Sequence, residues 1–265
     1  MMFQLNDYIK PDSIDEAYKL LQKSKNNVIL GGNTFLKLSD KKYNIGIDLS
    51  NLNLNEISKT ENEYEIGAYT TYGDICRYEE FHSFASGALV RAIENIVGSQ
   101  FRNHVTVGAS VYSKYGFSDF IPVLLALKAE VLLYNNGRMS LSEFLNSNIK
   151  RDILLKVYIP IGDIKCIFKS FRSTKTDFSI VNLALSENNG SYLLAVGARP
   201  SLAELCPLTS KFLSENKIDK TVILKAKELL FNEISFGSNA KASKEYRQKL
   251  AGNLFKKALL EMEEL

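Results

Sequence analysis

Two short glycine segments, far apart in the chain, constrain the fold most strongly. The first, Gly31-Gly32-Asn33-Thr34, directly follows the apolar run Val28-Ile29-Leu30, and the second is Thr106-Val107-Gly108-Ala109-Ser110. Glycine lets a backbone approach a ligand closely because it has no Cβ, and successive free N–H groups form a concavity that suits a phosphate. A lone Gly-Gly pair is usually only a turn. Two such segments, each following a buried run, predict a clasp for the pyrophosphate of a dinucleotide cofactor.

The charges of the chain disfavour nucleic acid as a partner. The sequence has 33 Lys and Arg against 30 Asp and Glu, a net charge of +3, with no basic block. The densest basic stretch, 241–257, alternates with apolar residues and indicates the solvated face of a helix. No apolar run approaches the roughly 20 residues that span a bilayer, and the N-terminus has no signal-peptide pattern. We therefore expect a soluble, cytoplasmic protein without membrane contact.

The cysteines and histidines give no sign of a metal site or a catalytic nucleophile. Cys76, Cys166 and Cys206 are isolated and odd in number, which favours reduced thiols. Without C-x-x-C spacing we expect no iron–sulfur cluster or zinc in this chain. His82 and His104 lie in different settings. His104 precedes the second glycine segment, where a packed or solvated histidine is commoner than a proton-transfer role, so no catalytic or metal-binding residue is predicted.

Hydrophobic periodicity predicts a two-lobed N-terminal domain over residues 1–160. Up to about residue 55, a helix beginning after Asp12 or Ser13 and strands at 28–30 and 45–49 indicate a small α/β lobe. From 56 to 160 we predict a second lobe of short strands and helices. Its elements are strands near 57, 64–67, 130–134 and 154–160, a turn at Asn135-Asn136-Gly137, and helices at 88–97 and 120–127. A further helix is capped at Thr71, with Asp74 in a capping-box-like spacing.

The remaining residues, 161–265, predict a smaller α+β domain. The segment Ile161-Gly162-Asp163 follows a proline and lacks periodicity, so we place the boundary there. Strand-like runs at 166–173, 179–186 and 192–198 indicate a three-stranded antiparallel sheet, and helices are predicted at about 220–231 and 243–262.

Several landmarks resemble one known family, in the right order along nearly the whole chain. They are Gly31–Thr34, Gln100–Gly108, Ser118–Leu127, Phe168–Arg172 with Asp177–Val181, Ala195–Pro200 and Glu245–Ala251. This set resembles the FAD-binding subunit of molybdenum hydroxylases, the family of xanthine dehydrogenase and carbon monoxide dehydrogenase.

The resemblance implies a fold, a cofactor and partners. The fold is α+β, with a two-lobed FAD-binding domain of the FAD-linked oxidase (PCMH-like) type before the C-terminal domain. The implied function is an electron-transfer subunit of a xanthine dehydrogenase-like enzyme, passing electrons through FAD to NAD or another acceptor. The molybdenum cofactor would lie in a large partner subunit and two [2Fe–2S] clusters in a small one. Such a role needs no catalytic side chain here, because the cofactor carries the chemistry.

The resemblance also implies the residues that line the cofactor. The adenosine diphosphate side would contact the first segment, namely Ile29, Leu30, Gly31, Gly32, Asn33, Thr34, Phe35 and Leu36. Thr106, Gly108 and Ser110 would face the pyrophosphate and ribityl chain from the other lobe.

The resemblance implies three further cofactor contacts outside the two glycine segments. Asp119 would hydrogen-bond the ribityl hydroxyls, although the residue type alone is equally typical of an N-cap for the helix at Phe120. Leu154 would pack near the flavin, and Lys169 would lie near the cofactor, against the alternative of an outward-facing strand lysine. The stretch 172–177 would be a mobile loop beside the isoalloxazine ring.

The second segment departs from the family's usual sequence. Ala109 and Ser110 stand where Gly and Asn are usual, and Tyr112–Phe117 replaces a run of small residues. Alanine costs little at negative φ but strains the backbone at positive φ. The aromatic side chains could stack on the flavin or occlude it. A degenerate structural or assembly subunit without FAD is therefore the alternative hypothesis. A stand-alone flavoenzyme is a weaker third, disfavoured by the match of the C-terminal domain.

Overall fold

The computed structural model describes residues 3–264, which form two compact units. The first unit comprises the chain up to Asp74, Gly98–Ser113 and Glu130–Ile159. The second comprises Ile75–Val97, Lys114–Ala129 and the chain from Pro160 onward. The domain boundaries at 55 and 160 stay a prediction.

The described residues form twelve strands and ten α-helices. The strands are β1 (Gln4–Ile9), β2 (Val28–Leu30), β3 (Lys42–Asp48), β4 (Ile57–Lys59), β5 (Glu63–Gly67), β6 (Glu130–Leu133), β7 (Gly137–Ser140), β8 (Leu154–Pro160), β9 (Ile164–Phe171), β10 (Val181–Asn188), β11 (Ser191–Gly197) and β12 (Glu204–Leu205). The helices are α1 (Ile14–Lys23), α2 (Tyr72–Arg77), α3 (Ala88–Ile93), α4 (Ser99–Arg102), α5 (Val107–Tyr112), α6 (Phe120–Ala126), α7 (Leu141–Asn146), α8 (Pro207–Ser214), α9 (Lys220–Glu233) and α10 (Lys244–Glu263). Short 3-10 turns lie at Leu36–Leu38, Glu79–His82 and Phe84–Gly87.

A parallel sheet in the order β1-β3-β2 delivers the first glycine segment. Helix α1 begins where the sequence predicted, with the Ser13 hydroxyl accepting from the Glu16 N–H at 3.2 Å. Its buried face, including Ala17 and Leu21, packs with Ile47 of β3. The carboxyl ends of parallel strands meet at one edge, which is where ligands bind in open α/β sheets. The first glycine segment starts at that edge, directly after β2.

The other sheet of the first unit has the order β4-β5-β8-β6-β7. Its β6–β7 hairpin turns at the predicted Asn-Asn-Gly sequence, with Gly137 at φ +72°. The buried carboxylate of Asp152 accepts from the N–H groups of Asn135 and Asn136, both at 3.0 Å. This carboxylate therefore fixes the turn.

The second unit contains an antiparallel sheet in the order β12-β11-β10-β9. The predicted meander of three strands is confirmed as β9, β10 and β11, while β12 was not predicted. Strand β10 is buried on both faces from Val181 to Ser186. Side chains alternate along a strand, so Val181, Leu183 and Leu185 join a core with α8, α9 and α10.

The opposite face of β10 packs on α6 through two buried polar side chains. The Asn182 amide donates to the Ser118 carbonyl at 3.0 Å, just before α6, and the Ser186 hydroxyl donates to the Ala126 carbonyl at 2.6 Å, at its end. Both side chains are almost fully buried. These bonds satisfy groups that would otherwise cost free energy inside the protein, so they fix the register of α6 on the sheet.

Several local predictions need correction. The helix predicted at 88–97 ends at Ile93, and Val97 adopts a left-handed φ of +50°. The second glycine segment, expected as a loop, is mostly helix α5. Strand β1 and helix α8 were not predicted. Every helix within residues 3–264 is too short or too polar to cross a lipid bilayer.

Helix α5 depends on the absence of a side chain at Gly108. A Cβ built there would lie 2.7 Å from the Ala68 Cβ and 2.8 Å from the Ala68 carbonyl oxygen. Helix propensity alone would make Gly108→Ala stabilising by about 1 kcal/mol. Because the clash is with backbone, we expect overpacking to win and the free energy of unfolding to fall by about 1–3 kcal/mol.

Denaturant unfolding measures this change, with Gly162→Ala as the matched control. A Cβ at Gly162 meets only ordinary contacts, at 3.4 Å and beyond, so its effect should stay within about 0.5 kcal/mol. A stabilised Gly108→Ala variant would contradict the close packing of α5 on Ala68.

Candidate functional site

The two glycine segments touch each other within the first unit. A Cβ built on Gly31 would lie 3.0 Å from the Ala109 Cβ and 3.2 Å from the Thr106 hydroxyl oxygen. Gly32 has φ +68°, and a Cβ there would lie 1.6 Å from the His104 carbonyl oxygen. No side chain fits at that distance. Both glycines are therefore required by the contact between the segments, and Gly32 also by its left-handed backbone.

The first segment presents polar groups that nothing in the described chain satisfies. Within residues 3–264 the structure gives no hydrogen bond from the N–H groups of Gly31, Gly32, Asn33 or Thr34. Asn33, at φ +57°, has a buried Oδ1 without a hydrogen-bond partner. An unsatisfied buried acceptor costs about 1–3 kcal/mol. Consecutive free N–H groups beside such an acceptor fit an anionic ligand that also carries hydroxyl groups, as FAD does.

Tyr69 holds the end of β2 in place, although no local sequence pattern marks it for this role. Its hydroxyl donates to the Leu30 carbonyl and accepts from the Leu49 N–H at 3.0 Å. Burial raises the pKa of Tyr69 above its ordinary value, so the hydroxyl stays protonated and able to donate. The Leu30 carbonyl lies immediately before Gly31, so Tyr69 sets where the first segment begins.

The second segment offers hydroxyl groups and no free backbone cradle, contrary to the expectation from its glycine. The Thr106 hydroxyl caps α5 by accepting from the Ala109 N–H at 3.2 Å. Three further N–H groups donate to backbone carbonyls: Val107 to Thr70 at 2.8 Å, Gly108 to Ala68 at 2.8 Å and Ser110 to Thr106 at 3.1 Å. The Ser110 hydroxyl donates to the Thr106 carbonyl at 2.9 Å.

The residues that depart from the usual family sequence cause little backbone strain. Ala109 lies inside α5 and is absent from the left-handed residues, so its backbone is unstrained. The Tyr112 hydroxyl accepts from the Asp152 N–H at 2.8 Å, and its ring lies 5.6 Å from that of Phe144, between centroids. Tyr112 is thus held by the first unit itself.

Two other aromatic residues of this stretch lie in the second unit. The rings of Tyr115 and Phe117 stack at 4.9 Å, and Phe117 packs at 4.3 Å on Phe178. Because Tyr112 is held within the first unit, the prediction that aromatic rings stack on the flavin now concerns Tyr115 and Phe117.

Asp119 lies in the second unit and its side chain does not cap α6. Asp119 occupies the N-cap position without a capping hydrogen bond from its side chain, while the Ser118 hydroxyl accepts from the Ile121 N–H at 3.2 Å. The Asp119 carboxylate is 5% exposed and accepts from Arg172 at 2.6 Å, from the Ser179 hydroxyl at 2.5 Å and from the Asn182 amide at 2.6 Å. The N-cap interpretation of Asp119 therefore holds for its position in the chain but not for its side chain.

The surroundings of Asp119 act on its pKa in opposite directions. Burial raises the pKa of the carboxyl above its ordinary value, and the charge of Arg172 with the Ser179 and Asn182 hydrogen bonds lowers it. Burial is the larger effect. Sequence reasoning missed this cluster because its three donors lie 53 to 63 residues from Asp119 along the chain.

Lys169 lies on β9 in an ion-pair network. Its ammonium pairs with the Glu261 carboxylate, which also accepts from Arg91 at 3.3 Å. It lines a cleft of about 540 Å³ in the second unit, together with residues 170–175 of the same strand and the loop after it. Leu154 is buried at the start of β8 in the first unit. Their roles near a flavin stay predictions.

Comparison with known protein families identifies the chain. The model of the FAD binding domain in molybdopterin dehydrogenase matches residues 1–162, more than half of the chain. The model of the CO dehydrogenase flavoprotein C-terminal domain matches residues 167–262. The chain belongs to the FAD-binding medium subunits of the molybdenum hydroxylase family. The resemblance seen in the sequence is confirmed, and so is its fold class.

Individual relatives agree with this family. The glyceraldehyde dehydrogenase medium chain of Sulfolobus acidocaldarius is 27% identical over 193 residues, which cover 68% of each chain. Quinoline 2-oxidoreductase from Pseudomonas putida 86 has a chain of similar structure, with a TM-score of 0.86, 21% identity and coverage of 96% and 95%. A chain of carbon monoxide dehydrogenase from Hydrogenophaga pseudoflava has a TM-score of 0.86 at 19% identity, and the match covers 96% of this chain and 95% of that one. The solved form lacks the Mo-pyranopterin moiety of its molybdenum cofactor.

The unsatisfied Asn33 predicts an unusual pair of effects for Asn33→Gly. Glycine adopts the same positive φ without strain and removes the orphaned acceptor. We expect the flavin-free chain to keep or slightly increase its stability, while FAD binds about tenfold more weakly through the lost hydrogen bond.

Thermal unfolding without FAD and a fluorescence titration with FAD measure the two effects. Asn53→Gly is the matched control, because Asn53 also has a positive φ, of +52°, but is exposed. Undiminished FAD affinity in Asn33→Gly would count against a ligand contact at this residue.

Proposed function

We propose that this chain binds FAD and passes electrons through it within a heteromeric molybdenum hydroxylase. The observation that carries the proposal is the first glycine segment, with its free N–H groups and its orphaned Asn33 oxygen. A structural subunit that had lost its cofactor would have no need to keep unsatisfied polar groups at the carboxyl edge of a parallel sheet.

Each part of the first unit has a role in this proposal. The N–H groups of Gly31–Thr34 donate to the pyrophosphate, and the Asn33 oxygen accepts from a ligand hydroxyl. Tyr69 fixes the strand end from which the segment starts. Thr106 and Ser110 contribute hydroxyl groups from the second segment. The residues that flank the cradle, Ile29 to Leu36, line the adenosine diphosphate portion.

The flavin supplies the redox chemistry when it is bound, since it exchanges electrons one or two at a time. We propose that the electrons come from [2Fe–2S] clusters in a small partner subunit and leave to NAD or another acceptor. A large partner subunit carries the molybdenum cofactor.

Two of the relatives support such an assembly. The glyceraldehyde dehydrogenase relative is a medium chain, a term that implies partner chains of other sizes, and the carbon monoxide dehydrogenase relative is an enzyme with a molybdenum cofactor. Cytoplasmic location is part of the proposal, because isolated free cysteines suit a reducing compartment.

The rival function is a degenerate subunit that serves assembly without a flavin. The observation in its favour is the second segment, whose N–H groups at 107–110 are all engaged within the first unit. We expect the full chain, mixed with FAD and freed of excess by gel filtration, to show flavin absorbance at about one flavin per chain. A colourless chain under these conditions supports the rival and overturns the proposal.

A second prediction concerns activity of the isolated, flavin-loaded chain. It should not oxidise a hydroxylase substrate, because in the proposed assembly the molybdenum cofactor lies in the large partner subunit. It should reduce an artificial dye with NADH as donor. The flavin-free chain is the control.

The aromatic residues of the second unit refine this test. If the wild-type chain is inactive but becomes active with Tyr115→Ala and Phe117→Ala, the stacked rings exclude the nicotinamide. If wild type and variants are both inactive, NAD is not the acceptor and the search moves to another electron carrier.

A further inference from the structure

The buried carboxylate of Asp119 binds three side chains of the segment 172–182, which comprises the loop from β9 to β10 and the first two residues of β10. Arg172 lies at the beginning of this segment, Ser179 near its middle and Asn182 at its end, and all three donate to Asp119 at 2.5–2.6 Å. Asn182 and Ser179 are 0% and 4% exposed. Water therefore cannot easily replace these bonds, and the loss of one partner would leave a buried charge or donor unsatisfied.

The carboxylate has little capacity left for a ligand. An ionised carboxylate offers about four acceptor sites, two on each oxygen. Oδ1 already accepts from Ser179 and Asn182, and Oδ2 accepts from Arg172. A direct bond to a cofactor hydroxyl would have to use the remaining site of a group that is only 5% exposed.

Other contacts hold the same segment and show that its position is specified. The Arg172 guanidinium also reaches the Asp177 carbonyl at 3.5 Å. The buried Arg247 of α10 donates to the carbonyl of Ile180. The segment is thus fixed at several points, and Asp119 provides the contact that joins its beginning to its end.

We propose that Asp119 is a positioning residue that anchors the segment 172–182, with Arg172 as its charged partner. Its effect on flavin affinity passes through this segment and does not require a hydrogen bond to the cofactor. The anchoring of 172–182 concerns this chain alone, whereas the second statement, on flavin affinity, rests on the proposed function.

Hydrogen exchange of the flavin-free full chain tests the anchor. Asp119→Asn keeps the shape of the side chain and Arg172→Gln removes its partner. Both should speed exchange of amides in 172–182 by about tenfold or more, as expected when a buried pair is broken. Lys175→Gln removes a charge from the same loop without touching Asp119 and should leave exchange unchanged. Arg172→Lys keeps the charge and should restore part of the protection.

Unchanged exchange in both Asp119→Asn and Arg172→Gln overturns the anchor. If Asp119→Asn fails to fold, Ser179→Ala replaces it, since this variant removes one donor and leaves no unpaired charge. Faster exchange confined to 172–182 in Ser179→Ala supports the anchor, and unchanged exchange there overturns it.

Titration with FAD, followed by flavin fluorescence, tests the second statement. Asp119→Asn, Arg172→Gln and the double variant should each raise the Kd for FAD by a similar factor, of about tenfold, because they break the same interaction. Weaker binding in Asp119→Asn alone, with Arg172→Gln like wild type, overturns it and makes Asp119 a direct ligand. If the wild-type chain binds no FAD, the proposed function fails, and the exchange experiment still decides the anchor.

Discussion

The backbone contact between Gly32 and His104 is the constraint on which the candidate site depends. A Cβ on Gly32 would lie 1.6 Å from the His104 carbonyl oxygen, so the contact exists only because residue 32 is glycine. Gly31 meets Ala109 and Thr106 beside it. The position of the first segment is therefore set by the second. A change in the second segment can alter flavin binding without contacting the cofactor.

The second unit solves a different problem, the burial of charge. Arg247 is 1% exposed, and burial lowers its pKa. Its guanidinium donates to the carbonyls of Ile180 and Ala198 and to the Asn239 side chain. Placing a charge in the interior costs several kcal/mol, and these bonds offset part of that cost, although the Arg247 Nε has no hydrogen-bond partner among residues 3–264. Because these carbonyls lie at the start of β10 and the end of β11, the charge serves to hold two strand ends together.

Local signals in the sequence predicted local structure well, whereas long-range contacts could not be read in this way. The Ser13 cap, the capping box of Thr71 with Asp74, and the Asn-Asn-Gly hairpin all depend on residues within a few positions of each other. Tyr69, by contrast, lies 39 residues from the Leu30 carbonyl that it holds. The partners of Asp119 lie 53 to 63 residues away from it along the chain. Their residue types are as typical of caps and surface pairs as of a buried network. Periodicity could therefore place the elements but not the side chains that join them, and the family resemblance pointed to Asp119 without its partners.

The backbone hydrogen bonds of the second segment show that its unusual residues need not weaken flavin binding. The usual family sequence has glycine where this chain has Ala109, which suggests at first that a Cβ now keeps the ligand away from the backbone N–H groups. In this structure the N–H of Ala109 belongs to the Thr106 cap, and those of Val107 and Gly108 belong to Thr70 and Ala68. Alanine at a helical φ therefore removes no donor from the ligand and adds no strain. The free donors lie on the first segment instead. A hydrogen bond to a charged group is worth about 1.5–3 kcal/mol, so two or three such bonds outweigh the replacement of an asparagine amide by the Ser110 hydroxyl opposite them. Under the proposed function, retention of the flavin should therefore depend mainly on residues 31–34, the part of the site that follows the family pattern.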